Sequence, residues 1–154
     1  MDLCDLLAPD GIIASLQATS KKHALQELGN IAAERTGLDA REIFNTLLQR
    51  ERLGSTGLGR GIAIPHVKLA GLKRIFCLFA RLDQPIDYES HDNEPVDLIF
   101  LLLAPEHASG DHLKALASIS RVVRLPSVLD ALRNASDVPA LRSALTMMVP
   151  SHAA

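Results

Sequence analysis

Apolar positions in the first third of the chain recur at the spacing of amphipathic helices. From Ser20 onward they fall three and four residues apart, and Gly37 follows the last of them, where a helix C-cap is expected. Asp39 with Glu42 resembles a capping box that opens a second amphipathic segment. The pattern therefore predicts two consecutive helices, the second of which ends near residue 51 or 52.

Longer apolar runs in the middle of the chain predict strands. A short apolar stretch covers residues 12–16, and two strand-like runs cover 74–82 and 96–104. The segment 98–104 is apolar throughout, which is too short for a membrane-spanning helix and typical of a buried strand. A polar, proline-containing segment joins the two longer runs.

The last third of the chain has helical patterning. A helix is expected to start at Ser109 or Gly110, and Pro126 breaks that run. Val128, Leu129 and Leu132 indicate another short helix, and a final helix is expected over 137–148. No internal repeat, linker or low-complexity segment interrupts the sequence. The order of elements predicts an α/β sandwich with a small central sheet.

Composition narrows the classes of function. The chain has 154 residues, 47% of them hydrophobic, and a net charge of −2, so it lacks the basic field of a nucleic-acid binder. Four Phe, one Tyr and no Trp leave little for stacking bases or sugar rings. The N-terminus does not resemble a signal peptide, and Cys4 and Cys77 form no zinc-type or CxxC spacing. We expect a cytoplasmic protein with reduced thiols, no nucleic-acid partner and no membrane insertion.

A glycine-rich loop at residues 54–61 is the most biased stretch of the chain. It lacks the Gly-Lys-Ser/Thr ending of a P-loop and the third glycine of the dinucleotide fingerprint, so nucleotide binding is unsupported. Two interpretations stay open. The loop is a flexible hairpin-like connection, or its amides and the Ser55 and Thr56 hydroxyls approach an anion.

Two of the six histidines have settings that favour chemistry. His66 follows Pro65 where the chain leaves the glycine loop, and His112 falls in the first turn of a predicted helix, where the helix dipole favours an anion. Together with Asp111 they are conceivable zinc ligands, but no HxxxH or HExxH pair supports a metal site. No GxSxG nucleophile elbow is present either.

The run from Gly54 to His66, GSTGLGRGIAIPH, resembles the signature of one protein family. It is similar to the IIA components of the bacterial phosphoenolpyruvate-dependent phosphotransferase system of the fructose/mannitol type, and within them to nitrogen-regulatory IIA proteins. Residues 50–53, 85–97 and 111–113 extend the likeness to roughly residues 3–146. The resemblance implies a single IIA domain over 1–154, an α/β sandwich with a small mixed central sheet flanked by helices.

The resemblance also implies roles for five residues. His66 matches the phosphoacceptor, His112 the second active-site histidine and Arg50 the active-site arginine. Ser55 and Thr56 match the polar pair of the loop, so these two with Arg50 and His112 are expected to bind the phosphoryl group. The chemistry requires neither a metal nor another cofactor.

The function implied is that of a phosphohistidine carrier, not a stand-alone turnover enzyme. A histidine-containing phosphocarrier protein is the expected donor, and regulatory targets such as potassium transport or sensor-kinase systems are expected readers. Leu58, Ile64 and Val67 are predicted apolar contacts for a docking partner. Two alternatives stay open: a sugar-transport IIA component that passes phosphate to a IIB domain, and a non-catalytic module that binds an anion or a partner.

Overall fold

Six strands form one mixed sheet with helices on both faces, over residues 3–107 and 110–146, which the computed structural model describes. The sheet order is β1-β5-β6-β3-β2, and β4 also pairs with β6. No helix in these two ranges is long and apolar enough to span a membrane. The elements are α1 (Leu3–Leu6), β1 (Leu7–Leu16), α2 (Lys21–Thr36), α3 (Ala40–Leu53), β2 (Gly57–Gly59), β3 (Ile62–Ala63), β4 (His66–Leu69), β5 (Phe76–Ile86), β6 (Val96–Pro105), α4 (Asp111–Val123), α5 (Pro126–Asn134) and α6 (Val138–Thr146).

The two predicted N-terminal helices are confirmed, together with their caps. The Ser20 hydroxyl accepts a backbone N–H at the start of α2, and Gly37 ends that helix in the left-handed conformation with φ of 78°. The Asp39 carboxylate accepts the Glu42 N–H at 3.1 Å, which caps α3. α3 continues to Leu53, one residue beyond the predicted end.

Strand β6 forms the centre of the sheet and explains the apolar run at 98–104. It pairs antiparallel with β5 and parallel with β3 and β4. Its even-numbered residues 98, 100 and 102 belong to one core cluster, and its odd-numbered residues 99, 101 and 103 belong to the other. Helices α1, α4, α5 and α6 cover the first face and α2 and α3 the second, so both faces must be apolar.

Other boundaries differ in detail from the sequence pattern. The stretch 12–16 is the end of the ten-residue strand β1, which pairs parallel with β5. The expected start at Gly110 agrees with α4, and the expected break at Pro126 falls between α4 and the next helix, with Pro126 as the first residue of α5. Ser109 and residues 147–148 lie outside the described residues. Cys77 is a free, buried thiol whose pKa is raised to about 12 by burial. The side chain of Cys4 also lies outside what the structure describes.

The break between β3 and β4 places the first of the two candidate histidines. β3 pairs with the first half of β6, Ile62 opposite Leu98, and β4 pairs with the second half, His66 opposite Leu102. The Leu102 N–H donates to the Pro65 carbonyl at 3.0 Å in the gap between them. Because aligned residues of parallel strands point to the same face, His66 shares the face of Leu102, which α4 covers.

Candidate functional site

His66 and His112 line one small cavity. Its volume is about 200 Å³, and the two histidines approach it from β4 and from the first turn of α4. Both side chains are half-buried, so they are held by the fold and open to a partner. The remaining lining residues are Val67, Lys68, Leu102 and Ala104.

The His66 ring has one nitrogen committed to the protein. Its Nδ1 atom lies 2.8 Å from the Ile64 carbonyl oxygen, which can only accept a hydrogen bond. Nδ1 must therefore carry the proton, and in the neutral imidazole the lone pair is on Nε2. The backbone of the strand break thus fixes both the orientation and the tautomer of this side chain.

The His112 ring differs from the His66 ring in the hydrogen bonding of its Nδ1 atom. Its Nδ1 atom is buried and has no hydrogen-bond partner among residues 3–107 and 110–146. An unpaired buried polar atom costs free energy, so such an atom beside a cavity suits an added polar group. The N-terminus of α4, with Gly110 as its N-cap, adds a field that favours negative charge.

The glycine loop forms a hairpin, with Gly57 opposite Ala63 in the antiparallel pair β2–β3. This agrees with the hairpin interpretation of the sequence. Several of its N–H groups donate within the protein and are not free for an anion. The Gly54 N–H donates to the Glu51 carbonyl at 3.2 Å and the Thr56 N–H to the Glu51 carboxylate at 3.1 Å. The Gly57 N–H donates to the Ser55 hydroxyl at 3.1 Å, and the Arg60 N–H to Asp92 at 2.9 Å.

Arg50, Ser55 and Thr56 lie together near the end of α3, and none of them lines the cavity that His66 and His112 share. The Arg50 guanidinium donates to the Gly54 carbonyl at 2.9 Å, and the Ser55 hydroxyl donates to the Tyr88 carbonyl at 3.0 Å. Thr56 is buried, and its hydroxyl donates to Glu51. The structure therefore brings the two histidines together in one cavity, and the other three predicted residues do not line it.

Sequence reasoning missed a buried polar cluster beneath the loop, formed by Lys21, Glu51 and Tyr88. The Lys21 Nζ atom lies 2.8 Å from Glu51 Oε1 and 4.7 Å from the centre of the Tyr88 ring. Burial, and then the Glu51 carboxylate, raise the pKa of Tyr88, so its hydroxyl remains a donor. Glu51 follows Arg50 directly, but no local pattern connects Lys21 or Tyr88 to the loop.

Two further contacts hold the turn of the hairpin. Arg60 adopts a φ of 57°, and its N–H donates to Asp92, which lowers the pKa of that carboxyl together with the Glu94 N–H. Arg133 of α5 donates to the Arg60 carbonyl at 2.5 Å and to both carboxylate oxygens of Asp97 at 2.9 Å. Helix α5 thereby fixes the loop from the side.

The predicted docking contacts are only partly accessible. Leu58 is 53% exposed and Val67 is half-buried, but Ile64 is 3% exposed, so its prediction as a docking contact was wrong. Its side chain lies in the same core cluster as that of Ile62, because residues two apart in an extended segment point to the same face. Leu113, which follows His112, is 61% exposed and was not predicted to contact a partner.

The conceivable zinc set of His66, Asp111 and His112 is not assembled as a metal centre. No group of three or more His, Cys, Asp or Glu side chains that could hold a metal ion occurs in the described part of the chain. Besides the two histidines, apolar residues and one lysine line the cavity. The site therefore offers imidazole nitrogens and a cation to an incoming group.

Comparison with known proteins identifies the family. The family model of the phosphoenolpyruvate-dependent sugar phosphotransferase system, EIIA 2, matches residues 5–147. The chain belongs to this family. A nitrogen regulatory protein of Bradyrhizobium diazoefficiens is 55% identical over 147 residues, which are 96% of each chain.

Solved structures support the same assignment. The nitrogen regulatory protein IIA-Ntr from Neisseria meningitidis superposes with a TM-score of 0.86 at 36% identity, covering 92% of this chain and 97% of that one. IIA mannitol from Escherichia coli has a TM-score of 0.74 at 19% identity, covering 90% and 97%, which shows a shared fold. The expected fold class and the resemblance to nitrogen-regulatory IIA proteins are confirmed. As an EIIA component, the chain is a phosphotransferase carrier domain.

Proposed function

We propose that the chain accepts a phosphoryl group on Nε2 of His66 from a histidine-containing phosphocarrier protein and signals its phosphorylation state to partners. The observation that carries the proposal is the shared cavity, in which Nδ1 of His66 is bonded to the backbone and Nδ1 of His112 has no partner among the residues that the structure describes. The proposal covers a single domain over residues 1–154 with its core at about 3–146, located in the cytoplasm.

The chemistry needs only positioning and charge stabilisation. The Nε2 lone pair of His66 attacks phosphorus in line as the nitrogen–phosphorus bond of the donor phosphohistidine breaks, and that imidazole leaves with the electron pair. His112 donates a hydrogen bond from Nδ1 to a phosphoryl oxygen. The N-terminus of α4 and nearby Lys68 stabilise the added negative charge.

Arg50, Ser55 and Thr56 remain predicted phosphate-binding residues. Arg50 uses one guanidinium nitrogen on Gly54, and within the described part of the chain the other N–H donors of the group have no hydrogen bond, so they are available for a phosphoryl oxygen. The Ser55 and Thr56 hydroxyls donate to Tyr88 and Glu51, so each must exchange a present partner to bind phosphate. Arg50 is therefore the strongest phosphate-binding candidate of the three.

Regulation of nitrogen or potassium metabolism is the role that the similarity favours. The relative from Bradyrhizobium diazoefficiens is a nitrogen regulatory protein and aligns along nearly the whole chain. Potassium transport and sensor-kinase systems are the partners that the resemblance implies. Phosphorylation adds charge beside the exposed Leu113 and half-buried Val67, which changes the surface a partner meets.

The direct test is phosphorylation by phosphoenolpyruvate, the first enzyme of the system and its phosphocarrier, followed by intact mass under alkaline conditions. One added phosphate that acid removes is expected, with none on His66→Ala. The exposed His91 supplies a matched control, because His91→Ala should be labelled like the wild type. His112→Ala should be labelled about a hundredfold to a thousandfold more slowly, the range for losing one hydrogen-bond donor to the transition state. Normal labelling of His66→Ala would overturn the assignment, and no labelling of the wild type would favour the non-catalytic binding module.

A sugar-transport role is the second candidate, since the matching family model describes a sugar phosphotransferase system. The chemistry at His66 would be the same, and the acceptor would be a IIB domain. Phosphorylated chain mixed with fructose- or mannitol-type IIB and permease should produce no sugar phosphate if the role is regulatory. Robust sugar phosphorylation would favour transport.

A further inference from the structure

Glu51 forms a buried ion pair beneath the glycine loop, outside the cavity shared by His66 and His112. It lies in the last turn of α3 with 3% of its side chain exposed, and Lys21 at the start of α2 approaches it to 2.8 Å. The Tyr88 hydroxyl donates to the same carboxylate at 3.3 Å. A buried carboxylate carries a desolvation cost, which a cation and several donors offset here.

Thr56, a residue of the glycine loop, is bonded to this cluster through its backbone N–H and its hydroxyl. Its backbone N–H donates to Glu51 Oε1 at 3.1 Å, and its hydroxyl donates to Glu51 Oε2. Two bonds from one residue to the two oxygens of one carboxylate fix the orientation of Thr56 as well as its position. Since Glu51 is anchored on a helix, Thr56 is held relative to α3.

Two more hydrogen bonds continue from Thr56 to the His66 ring. The Thr56 carbonyl accepts the Ile64 N–H at 3.0 Å, and the Ile64 carbonyl accepts the His66 Nδ1–H at 2.8 Å. Successive bonds use different peptide groups of each residue, so the chain of contacts transmits position and no proton. The Glu51 carboxylate and the His66 ring are thus the two ends of one continuous set of bonds.

We propose that Glu51 is a positioning residue for His66, which fixes the Ile64 carbonyl through Thr56 and so keeps Nε2 as the free nucleophilic nitrogen. The proposal rests on the proposed function, because this orientation affects phosphoryl transfer only if His66 is the acceptor. Glu51 does not line the cavity, and its effect is exerted entirely through the loop backbone. Small displacements slow an in-line transfer steeply, so the rate of transfer should fall while donor affinity is kept.

A pair of double variants separates positioning from the charge of the ion pair. The double variant Lys21→Met/Glu51→Met removes both charges and both carboxylate oxygens that accept from Thr56. Because Lys21 is replaced as well, no lysine ammonium is left without its partner carboxylate. Lys21→Met/Glu51→Gln removes the same charges but keeps an acceptor oxygen for the Thr56 N–H. Leu47→Ala, one turn earlier on α3 and 1% exposed, weakens the core without removing a hydrogen bond to the loop and serves as the control.

Two readouts are measured on each chain. Nitrogen-15 NMR of the unphosphorylated protein gives the His66 tautomer, and single-turnover transfer from the phosphorylated phosphocarrier gives the rate and the half-saturating donor concentration. The Met pair should lose the predominance of the Nδ1–H tautomer and transfer about tenfold to a hundredfold more slowly, with half-saturation unchanged within about twofold. The Gln pair should regain most of both properties, and Leu47→Ala should keep the wild-type tautomer.

Wild-type tautomer and rate in the Met pair would overturn the proposal, as would a slow rate with an unchanged tautomer. If the Met pair does not fold, the Gln pair decides, because a shifted tautomer despite the retained acceptor would contradict the positioning role. Absence of phosphate on His66 in the wild type would instead overturn the proposed function. The tautomer readout requires no phosphorylation, so the two failures can be told apart.

Discussion

Gly37 and Gly61 share a left-handed backbone, with φ of 78° and 81°, but differ in their surroundings. A Cβ atom at Gly37 would meet nothing within 4 Å, while one at Gly61 would lie 2.4 Å from Arg133 Nη2 and 2.8 Å from Asp97 Oδ1. Gly37→Ala should therefore lower the free energy of unfolding by only about 1–2 kcal/mol, the cost of the backbone conformation. Gly61→Ala should cost about 1 kcal/mol more, because it also displaces the Arg133–Asp97 pair. Urea unfolding measures both, and equal losses would contradict the structure.

Asp92 predicts a dependence of stability on pH. The N–H groups of Arg60 and Glu94 hold its pKa below the ordinary value of 3.8 in the folded chain. Because the pKa of Asp92 is lower in the folded chain, its ionised carboxylate contributes to stability. This contribution to the free energy of unfolding is complete above pH 3.8 and is lost as the pH falls through the lower folded-state pKa. Asp92→Asn should have a lower urea midpoint than the wild type at pH 7, and the difference should shrink below pH 3.8. A difference that stays constant over this range would contradict the assignment.

At the scale of elements, helix α5 is joined to the glycine loop by one arginine. Arg133 donates to both oxygens of Asp97 and to the Arg60 carbonyl, contacts that only a forked guanidinium makes together. Arg133→Ala should lower the free energy of unfolding by about 1–3 kcal/mol, the range for hydrogen bonds to charged groups. Amide exchange at residues 59–62 should accelerate, and Arg133→Lys should restore only part of the protection. Unchanged exchange in both variants would show that the loop does not depend on α5.

At the scale of the whole molecule, one aromatic pair spans the two central strands. Phe79 and Phe100 are opposite each other in β5 and β6, fully buried, with ring centres 4.9 Å apart. Phe100→Ala should lower the free energy of unfolding by about 3–5 kcal/mol, because it opens a cavity in a core that both strands share. Phe100→Leu should cost less than half as much. Thermal unfolding of the two variants measures this, and equal costs would mean that the core closes around the smaller side chain.

The sequence by itself determined most of the elements of this fold. Helices α2 and α3 have strong local signals, a side-chain cap at the start of each and a 3.6-residue period, and both were located within a residue or two. The apolar run at 98–104 identified β6, since a strand covered on both faces needs no alternation. β1 was not identified as a strand: the sequence showed only a short apolar stretch at 12–16, and the register shifts of β1 against β5 interrupt the regular pattern.

Only the tertiary structure decided how the candidate site is assembled. The sequence singled out His66 and His112, but their common cavity depends on α4 crossing the face of the sheet on which β4 begins. The cluster of Lys21, Glu51 and Tyr88 comes from three separate elements, so no spacing along the chain reveals it. Periodicity and capping are local and can be read along a chain, whereas hydrogen bonds between distant segments exist only once the sheet and helices have packed.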